Sequence, residues 1–377
     1  MFNILTLNKI SASGLSNFDA AKYACADDFT APDAVIVRSA SMHEMEIPAS
    51  VLAIARAGAG YNNIPVDVCT EKGICVFNTP GANANAVKEL VICGLLLASR
   101  RVVPSIDWCR TLKGEDEISK KIEKGKSNFA GPEIMGKTLG VIGLGAIGIK
   151  VCNAAVALGM NVIGYDPYLS DKGAAMLDTA VTVTANLDDI FANSDYISVH
   201  APLTDSTKNI VGKETLAKAK DGVRVLNFAR GGLVDNEAIV EAIKSGKCAA
   251  YATDFPTDEQ LCLDGVIAMP HLGASTPESE ENCAVMAVNQ IAEYLEKGNV
   301  VNSVNLPCIS KDMTGGKRIT VITKGDVSAA VIAAAGSDDA VSAVRKDVGY
   351  VIIDGANDDA VEAVKAVDGV VAVRAIG

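Results

Sequence analysis

The sequence predicts an α/β protein with two parallel-sheet domains followed by a small βαββαβ module. Three observations carry that expectation. Short β-branched runs alternate with helical stretches along most of the 377 residues, the pattern of parallel sheets crossed by helices. One such unit, residues 139–166, holds Gly143-x-Gly145-x-x-Gly148 between its first strand and its helix, and it ends on Asp166. After Pro307 the order becomes strand, helix, strand, strand, helix, strand, the split ferredoxin-like arrangement.

The glycine unit organises the chain. Leu139 to Ile142 reads as a buried strand, and Ile147, Val151, Ala154, Ala155 and Leu158 keep helical spacing up to Gly159. Val162 to Tyr165 reads as the second strand. Gly143 permits a tight turn, Gly145 lets the backbone meet a pyrophosphate at the positive helix end, and Gly148 lets helix and strand approach. Ala146 and Ile147 open that helix and complete the candidate phosphate site. A glycine-rich turn alone would be the plainer reading. Two strands, a helix and an acid at this spacing favour dinucleotide binding. Asp166 is expected to accept bonds from the ribose and repel a 2′-phosphate, favouring NAD over NADP by more than roughly tenfold.

The other elements follow in order. Phe2 to Leu7, Ala34 to Val37, Leu52 to Ala55 and Cys75 to Phe77 are strand candidates of a first α/β domain. A long helix is expected from Val87 to Val103, apolar at Leu90, Val91, Gly94, Leu95 and Ala98. Lys113 to Lys126 is polar and lysine-rich, and is expected to be irregular and exposed. Further strands are expected at Tyr196 to Val199, Val223 to Leu226, Ala249 to Ala252 and Val266 to Met269. Open α/β sheets bind ligands beyond such strand ends, which makes His200, Ala201, Pro202, Ala229, Asp254 and Gly273 cofactor candidates. A second long helix, Thr276 to Glu296, opens on Ser275, Thr276, Pro277 and Glu278. Residues 311–316 read as a linker. In the tail, strands are expected at Arg318 to Thr323, Ala340 to Arg345, Tyr350 to Asp354 and Val370 to Ile376, with helices at Val327 to Ala335 and Asp358 to Val367. The tail offers almost no catalytic side chains, so it reads as regulatory or oligomerising.

Composition narrows the partners. A formal charge of −12 argues against nucleic acid, while a small anion needs only local positive charge. The ten cysteines form no Cys-x-x-Cys pair and no cluster with histidine, so neither a metal nor a disulfide framework is expected. Reduced thiols, no signal-like amino terminus and no membrane-length apolar run lead to a cytoplasmic protein as the expectation.

Oxidising an alcohol by hydride transfer needs a base for the hydroxyl proton and a cation for a carboxylate or carbonyl oxygen. Among three histidines, His43 has no motif around it and reads as a surface residue. His200 reads as structural or cofactor-edge. His271, in Pro270-His-Leu-Gly-Ala274 after a strand, is the best base. Arg230, in Asn227-Phe-Ala-Arg-Gly-Gly-Leu-Val-Asp235, is placed to grip a carboxylate; a surface ion pair with Asp235 or Glu237 is the plainer alternative. Glu259 precedes the strand that ends near His271 and would fix its tautomer. Asp258 is adjacent and suits the same role.

These stretches, with Ile36-Val-Arg-Ser39, Arg56-Ala-Gly-Ala-Gly60, Asn78-Thr-Pro-Gly-Ala-Asn83 and Pro270 to Thr276, give the chain its resemblance to the D-isomer-specific 2-hydroxyacid dehydrogenases. It covers residues 1 to about 307. It implies an Arg–Glu–His set at Arg230, Glu259 and His271, and substrate contacts at Arg38, Ser39, Arg56, Gly58 and Asn83. It implies a flavodoxin-like substrate domain, 1–97 completed by 281–307, hinged to a Rossmann-type NAD domain, 98–280. The family writes its acid loop Asp-Val-Phe-x-x-Glu-Pro, whereas this chain has Asp254-Phe-Pro-Thr-Asp-Glu259-Gln260, so Glu259 and Asp258 both stay open. After a linker, 308–316, residues 317–377 resemble an amino-acid-sensing ACT domain. The usual Asn/Asp-x-Pro-Gly turn is replaced by Lys324-Gly-Asp-Val-Ser328, so pairing of chains is expected there and effector binding is not. Truncation after Pro307 is then expected to leave a folded enzyme. The implied partner is a small anionic 2-hydroxy acid, with 3-phospho-D-glycerate favoured and Arg38, Arg56 and a lysine of 113–137 receiving its phosphate. A homodimer or homotetramer is expected. Glyoxylate/hydroxypyruvate or D-lactate chemistry on the same scaffold is the nearest rival. An NAD-sensing corepressor is the rival of another class, and the presence of Arg230 and His271 argues against it.

Overall fold

The computed structural model describes residues 1–313, 316–356 and 359–377, and the chain divides into two compact units, Met1–Asn83 with Pro277–Gly377, and Ala84–Thr276. In the first unit, β1 (Phe2–Leu7), β2 (Tyr23–Ala26), β3 (Ala34–Val37), β4 (Ala53–Arg56) and β5 (Cys75–Phe77) form a parallel sheet. Its order is β2-β1-β3-β4-β5, as a flavodoxin-like domain requires. β3 is buried throughout because the sheet is covered on both faces. Met42, Ile47, Ile54 and Val76 pack one face. On the other, Ala284, Ala287, Val288 and Ile291 pack from the helix Pro277–Lys297. β2 escaped the sequence reading, since Tyr23-Ala-Cys-Ala26 has neither alternation nor a β-branched residue.

In the second unit, β6 (Thr138–Ile142), β7 (Asn161–Tyr165), β8 (Val181–Thr184), β9 (Tyr196–Val199), β10 (Val223–Asn227), β11 (Cys248–Thr253) and β12 (Val266–Ala268) form one parallel sheet. Its order is β12-β11-β10-β9-β6-β7-β8. The chain winds one way from β6 and the other way from β9. The switch point between them is where an open α/β sheet takes its ligand. Apolar residues of the helices Ala84–Arg100 and Ala146–Ala157 cover one face. The helices Leu187–Asn193 and Asn236–Lys244 cover the other.

The lysine-rich stretch is exposed but not irregular. After the helix Val102–Thr111 it forms the helix Ile118–Gly125 and leads into a 3-10 turn, Lys126–Phe129. Ile118 and Ile122 lie one turn apart, and the rings of Trp108 and Phe129 meet at 5.3 Å. Three of its lysines are engaged locally: Lys120 with Glu117, Lys121 with Glu115, and Lys126 with Glu123.

β13 (Arg318–Lys324), β14 (Ala340–Arg345), β15 (Val348–Asp354) and β16 (Val370–Ile376) form an antiparallel sheet in the order β14-β15-β13-β16. The helices Ser328–Ala335 and Ala360–Lys365 pack on one face. Thr314 and Gly315 of the expected linker, and Asp358 at the expected start of the second helix, lie outside the described residues. The other face is covered by the same unit: Ile322, Tyr350 and Ile352 join Phe77, Tyr294 and Leu306 in one core. Tyr350 Oη donates to the Gly298 carbonyl at 2.7 Å, and the Arg374 guanidinium lies 4.4 Å from the centre of the Tyr294 ring. The tail, expected as a module behind a linker, is built into the first unit. Among the described residues no helix is long and apolar enough to cross a membrane.

Candidate active site

The glycine loop sits at the carboxyl end of β6, beside the switch point. Gly143 has φ +94°, and a Cβ there would meet the backbone of Ala201 at 2.6 Å. A Cβ on Gly148 would stand 1.9 Å from the Gly143 carbonyl. Gly145 is different: it caps the helix Ala146–Ala157, and nothing lies within 4 Å of where its Cβ would be. Its lack of a side chain is required by no neighbour in the protein, which leaves open space over the free N–H groups at the positive helix end. Asp166, just past β7, accepts from Leu144 N–H and Tyr168 N–H, each at 2.8 Å. Each carboxylate oxygen keeps a lone pair for a ribose hydroxyl.

Beyond β9, β10 and β11 the chain gathers polar groups. His200 follows β9; its Nε2 is 2.8 Å from Ser198 Oγ, its Nδ1 is buried without a partner, and desolvation pushes its pKa down to about 4. Ala201 is buried and Pro202 exposed. Asn227 closes β10 as an Asx turn, its Oδ1 accepting from Ala229 and Arg230 N–H and its Nδ2 donating to the Arg230 carbonyl at 2.8 Å. This extends Arg230 into solvent, where its Nη1 bonds the Ala229 carbonyl at 2.6 Å. Asp254 is 2 % exposed; Oδ2 accepts from Gly273 N–H at 2.7 Å, and Oδ1 is buried with no partner. A buried carboxylate oxygen without a donor is costly, and an amide of a bound cofactor would satisfy it.

His271 is exposed and has φ +54°, a strained conformation for a residue with a Cβ and one that clusters at functional sites. The Phe255 ring packs 4.8 Å from its imidazole. The structure does not bring Glu259 or Asp258 to His271: among the described residues no hydrogen bond or ion pair joins them. Glu259 is exposed and lines an open cleft with Glu237, Glu241 and Lys244. The buried anchor of that loop is Gln260, whose amide bonds Thr257 N–H and Asn236 Oδ1. Asn227, Phe255 and Gln260 went unread in the sequence. The Asn-x-x-Arg spacing of an Asx turn was the one available signal.

In the first unit Arg38 follows β3 and Arg56 ends β4. Arg56 Nε donates to the Arg38 carbonyl at 3.0 Å, and a Cβ on Gly58, at φ +151°, would overlap the Arg56 guanidinium at 1.3 Å. Arg38 pairs with Glu280 at 2.8 Å. Ser39 is exposed, its N–H held by Asn8 Oδ1 at 3.1 Å. Asn83 Oδ1 is buried without a partner.

The second unit is therefore a dinucleotide-binding α/β domain. Its residues 94–273 match the family described as D-isomer specific 2-hydroxyacid dehydrogenase, NAD binding domain. A hydroxypyruvate reductase of Thermotoga maritima is 43% identical over 276 residues, 70% of this chain and 85% of that protein. A D-3-phosphoglycerate dehydrogenase of Methanocaldococcus jannaschii is 38% identical over 292 residues, 75% of this chain and 53% of that protein, so the chain spans about half the length of that relative. An NAD⁺-bound 3-phosphoglycerate dehydrogenase of Entamoeba histolytica superposes with a TM-score of 0.63 at 26% identity, covering 81% of this chain and 98% of that one. The chain belongs to the D-isomer-specific 2-hydroxyacid dehydrogenases, and its cofactor is NAD.

Proposed function

We propose that the chain oxidises 3-phospho-D-glycerate to 3-phosphohydroxypyruvate, the entry step of serine synthesis, as a cytoplasmic homo-oligomer. The observation that carries this reading is the pair of arginines on neighbouring strand ends, Arg38 and Arg56, two guanidinium groups suited to a phosphate dianion that draws Arg38 from Glu280. The name of the Methanocaldococcus relative supports the same substrate.

The chemistry that NAD would supply when bound is acceptance of the C2 hydride. The chain does the rest. Neutral His271 takes the hydroxyl proton as the C2–O bond gains double-bond character. Arg230, extended from the Asn227 turn, holds the substrate carboxylate and the developing carbonyl oxygen. Glu259, or its neighbour Asp258, stabilises the imidazolium, which requires the 254–260 loop to bring a carboxylate to His271. Gly145 and the helix Ala146–Ala157 would hold the pyrophosphate, Asp166 the ribose and Asp254 the carboxamide.

A second reading, reduction of hydroxypyruvate, is favoured by the Thermotoga relative, of which this chain covers the larger share. A spectrophotometric screen of 2-hydroxy and 2-keto acids with NAD(H) and NADP(H) separates the two. The highest kcat/KM is expected for the phosphorylated pair with NAD(H). Faster reduction of hydroxypyruvate than of 3-phosphohydroxypyruvate would replace the first reading with the second.

A further inference from the structure

We infer that Glu280 is a built-in competitor for Arg38 and sets how strongly the protein distinguishes phosphorylated from unphosphorylated 2-hydroxy acids. The inference rests on the reading above in assigning Arg38 to the substrate.

The two arginines are held differently. β3 and β4 pair in register with Val37 opposite Arg56, so Arg38 and Arg56 leave adjacent strand ends. Arg56 is fixed by its bond to the Arg38 carbonyl and by Gly58, whose missing side chain makes room for the guanidinium. The Arg38 side chain is instead held by Glu280 Oε1 at 2.8 Å, and both partners are partly open to solvent, at 35% and 40%. Glu280 lies in the first turn of the helix Pro277–Lys297, where the helix dipole favours a carboxylate. It therefore loses little when released from Arg38.

With the pair closed, the positive charge of Arg38 is cancelled. A substrate whose C3 group is an uncharged hydroxyl can leave Arg38 with Glu280. A phosphate dianion gains Arg38 only by displacing Glu280, and afterwards it lies near the displaced carboxylate. Both effects penalise the phosphorylated substrate alone. Exposed pairs of this kind are weak, so removing the competitor is worth roughly 1.5- to fivefold in relative affinity.

The test compares kcat/KM for 3-phosphohydroxypyruvate and hydroxypyruvate, with NADH, in wild type, Glu280→Gln and Glu280→Asp. Glu280→Gln should raise the phosphorylated-to-unphosphorylated ratio roughly 1.5- to fivefold, chiefly through a lower KM for the phosphorylated acid. Glu280→Asp, still charged but shorter, should lie between. Adding Arg38→Gln should erase the difference between Glu280→Gln and its parent. An unchanged ratio, or equal changes for both substrates, overturns the inference. Should wild type reduce neither acid, the proposed function fails and the competition is read with inorganic phosphate instead. A larger phosphate-induced rise in unfolding temperature for Glu280→Gln than for wild type supports it, and equal rises overturn it.

Discussion

His200 ends β9 with its ring against Ser198 and its Nδ1 out of solvent, and loss of hydration holds its pKa down at about 4. An unfolded histidine titrates near 6.5. Between these values the unfolded chain binds a proton that the folded chain refuses. The neutral ring therefore contributes its full stability above about pH 6.5 and loses it as the pH falls toward 4, on the order of 3 kcal/mol. Unfolding temperature should drop more steeply on acidification for wild type than for His200→Gln; parallel curves would contradict this. His271 poses a different question, since among the described residues no carboxylate forms a hydrogen bond or ion pair with it. Glu259→Gln is expected to lower kcat by roughly tenfold or more and to move the acidic limb of the reductive pH profile, while Asp258→Asn changes little. The reverse pattern assigns the role to Asp258. The positions of Asp166, Arg230 and His271 were legible because each stands beside glycines or at a strand end, where local spacing announces an edge. Asn227, Phe255 and Gln260 were not, because their importance lies in bonds and contacts with neighbours rather than in their own chemistry.

The glycine loop and its helix separate two roles that one motif conceals. Gly148→Ala places a Cβ 1.9 Å from the Gly143 carbonyl, so the helix Ala146–Ala157 must move away from β6. Overpacking of that kind costs about 1–3 kcal/mol, and both unfolding temperature and NAD affinity should fall. Gly145→Ala meets no atom of the protein within 4 Å. It should leave stability nearly unchanged, while NAD binding, measured by calorimetry, weakens by roughly tenfold or more because the Cβ takes the space above the helix end. Equal losses of stability in the two variants would refute this division. The spacing of glycines identified the turn and the helix, but only packing shows which glycine serves the fold and which keeps a ligand space open. At the edges the opposite happened: β2 and β8 were missed because Tyr23-Ala-Cys-Ala26 and Val181-Thr-Val-Thr184 lack the dense apolar run of a strand buried on both faces.

For the molecule as a whole, the carboxyl-terminal segment changes the expected outcome of truncation. Arg318 is fully buried and grips Asp354 through two bonds, at 2.6 and 2.8 Å, while also donating to the carbonyls of Lys297, Lys311 and Asp312. This ties β13 and β15 to the end of the helix Pro277–Lys297 and to the segment read as a linker. Ending the chain after Pro307 removes Ile322, Tyr350 and Ile352 from a core shared with Phe77 and Tyr294. Each such side chain is worth roughly 1.5–3 kcal/mol when buried. The truncated chain should therefore unfold at a markedly lower temperature and aggregate. An unchanged unfolding temperature with full activity would restore the reading of an independent module.

Sequence alone determined the parallel sheets, the dinucleotide loop, the use of NAD and the strand ends that carry Arg230 and His271. These follow from signals confined to a few neighbouring residues: apolar period, glycine spacing, an acid at a strand end. Tertiary structure alone decided that the tail belongs to the first unit, that Glu280 neutralises Arg38, that Asp254 keeps a carboxylate oxygen without a partner, and that Glu259 lies along the helix Asn236–Lys244 rather than at His271. Each of these depends on which surfaces meet. β13 of the tail reads the same whether its second face is covered by a partner chain or by residues more than two hundred positions earlier, and only the folded chain brings Tyr350 and Phe77 into one core.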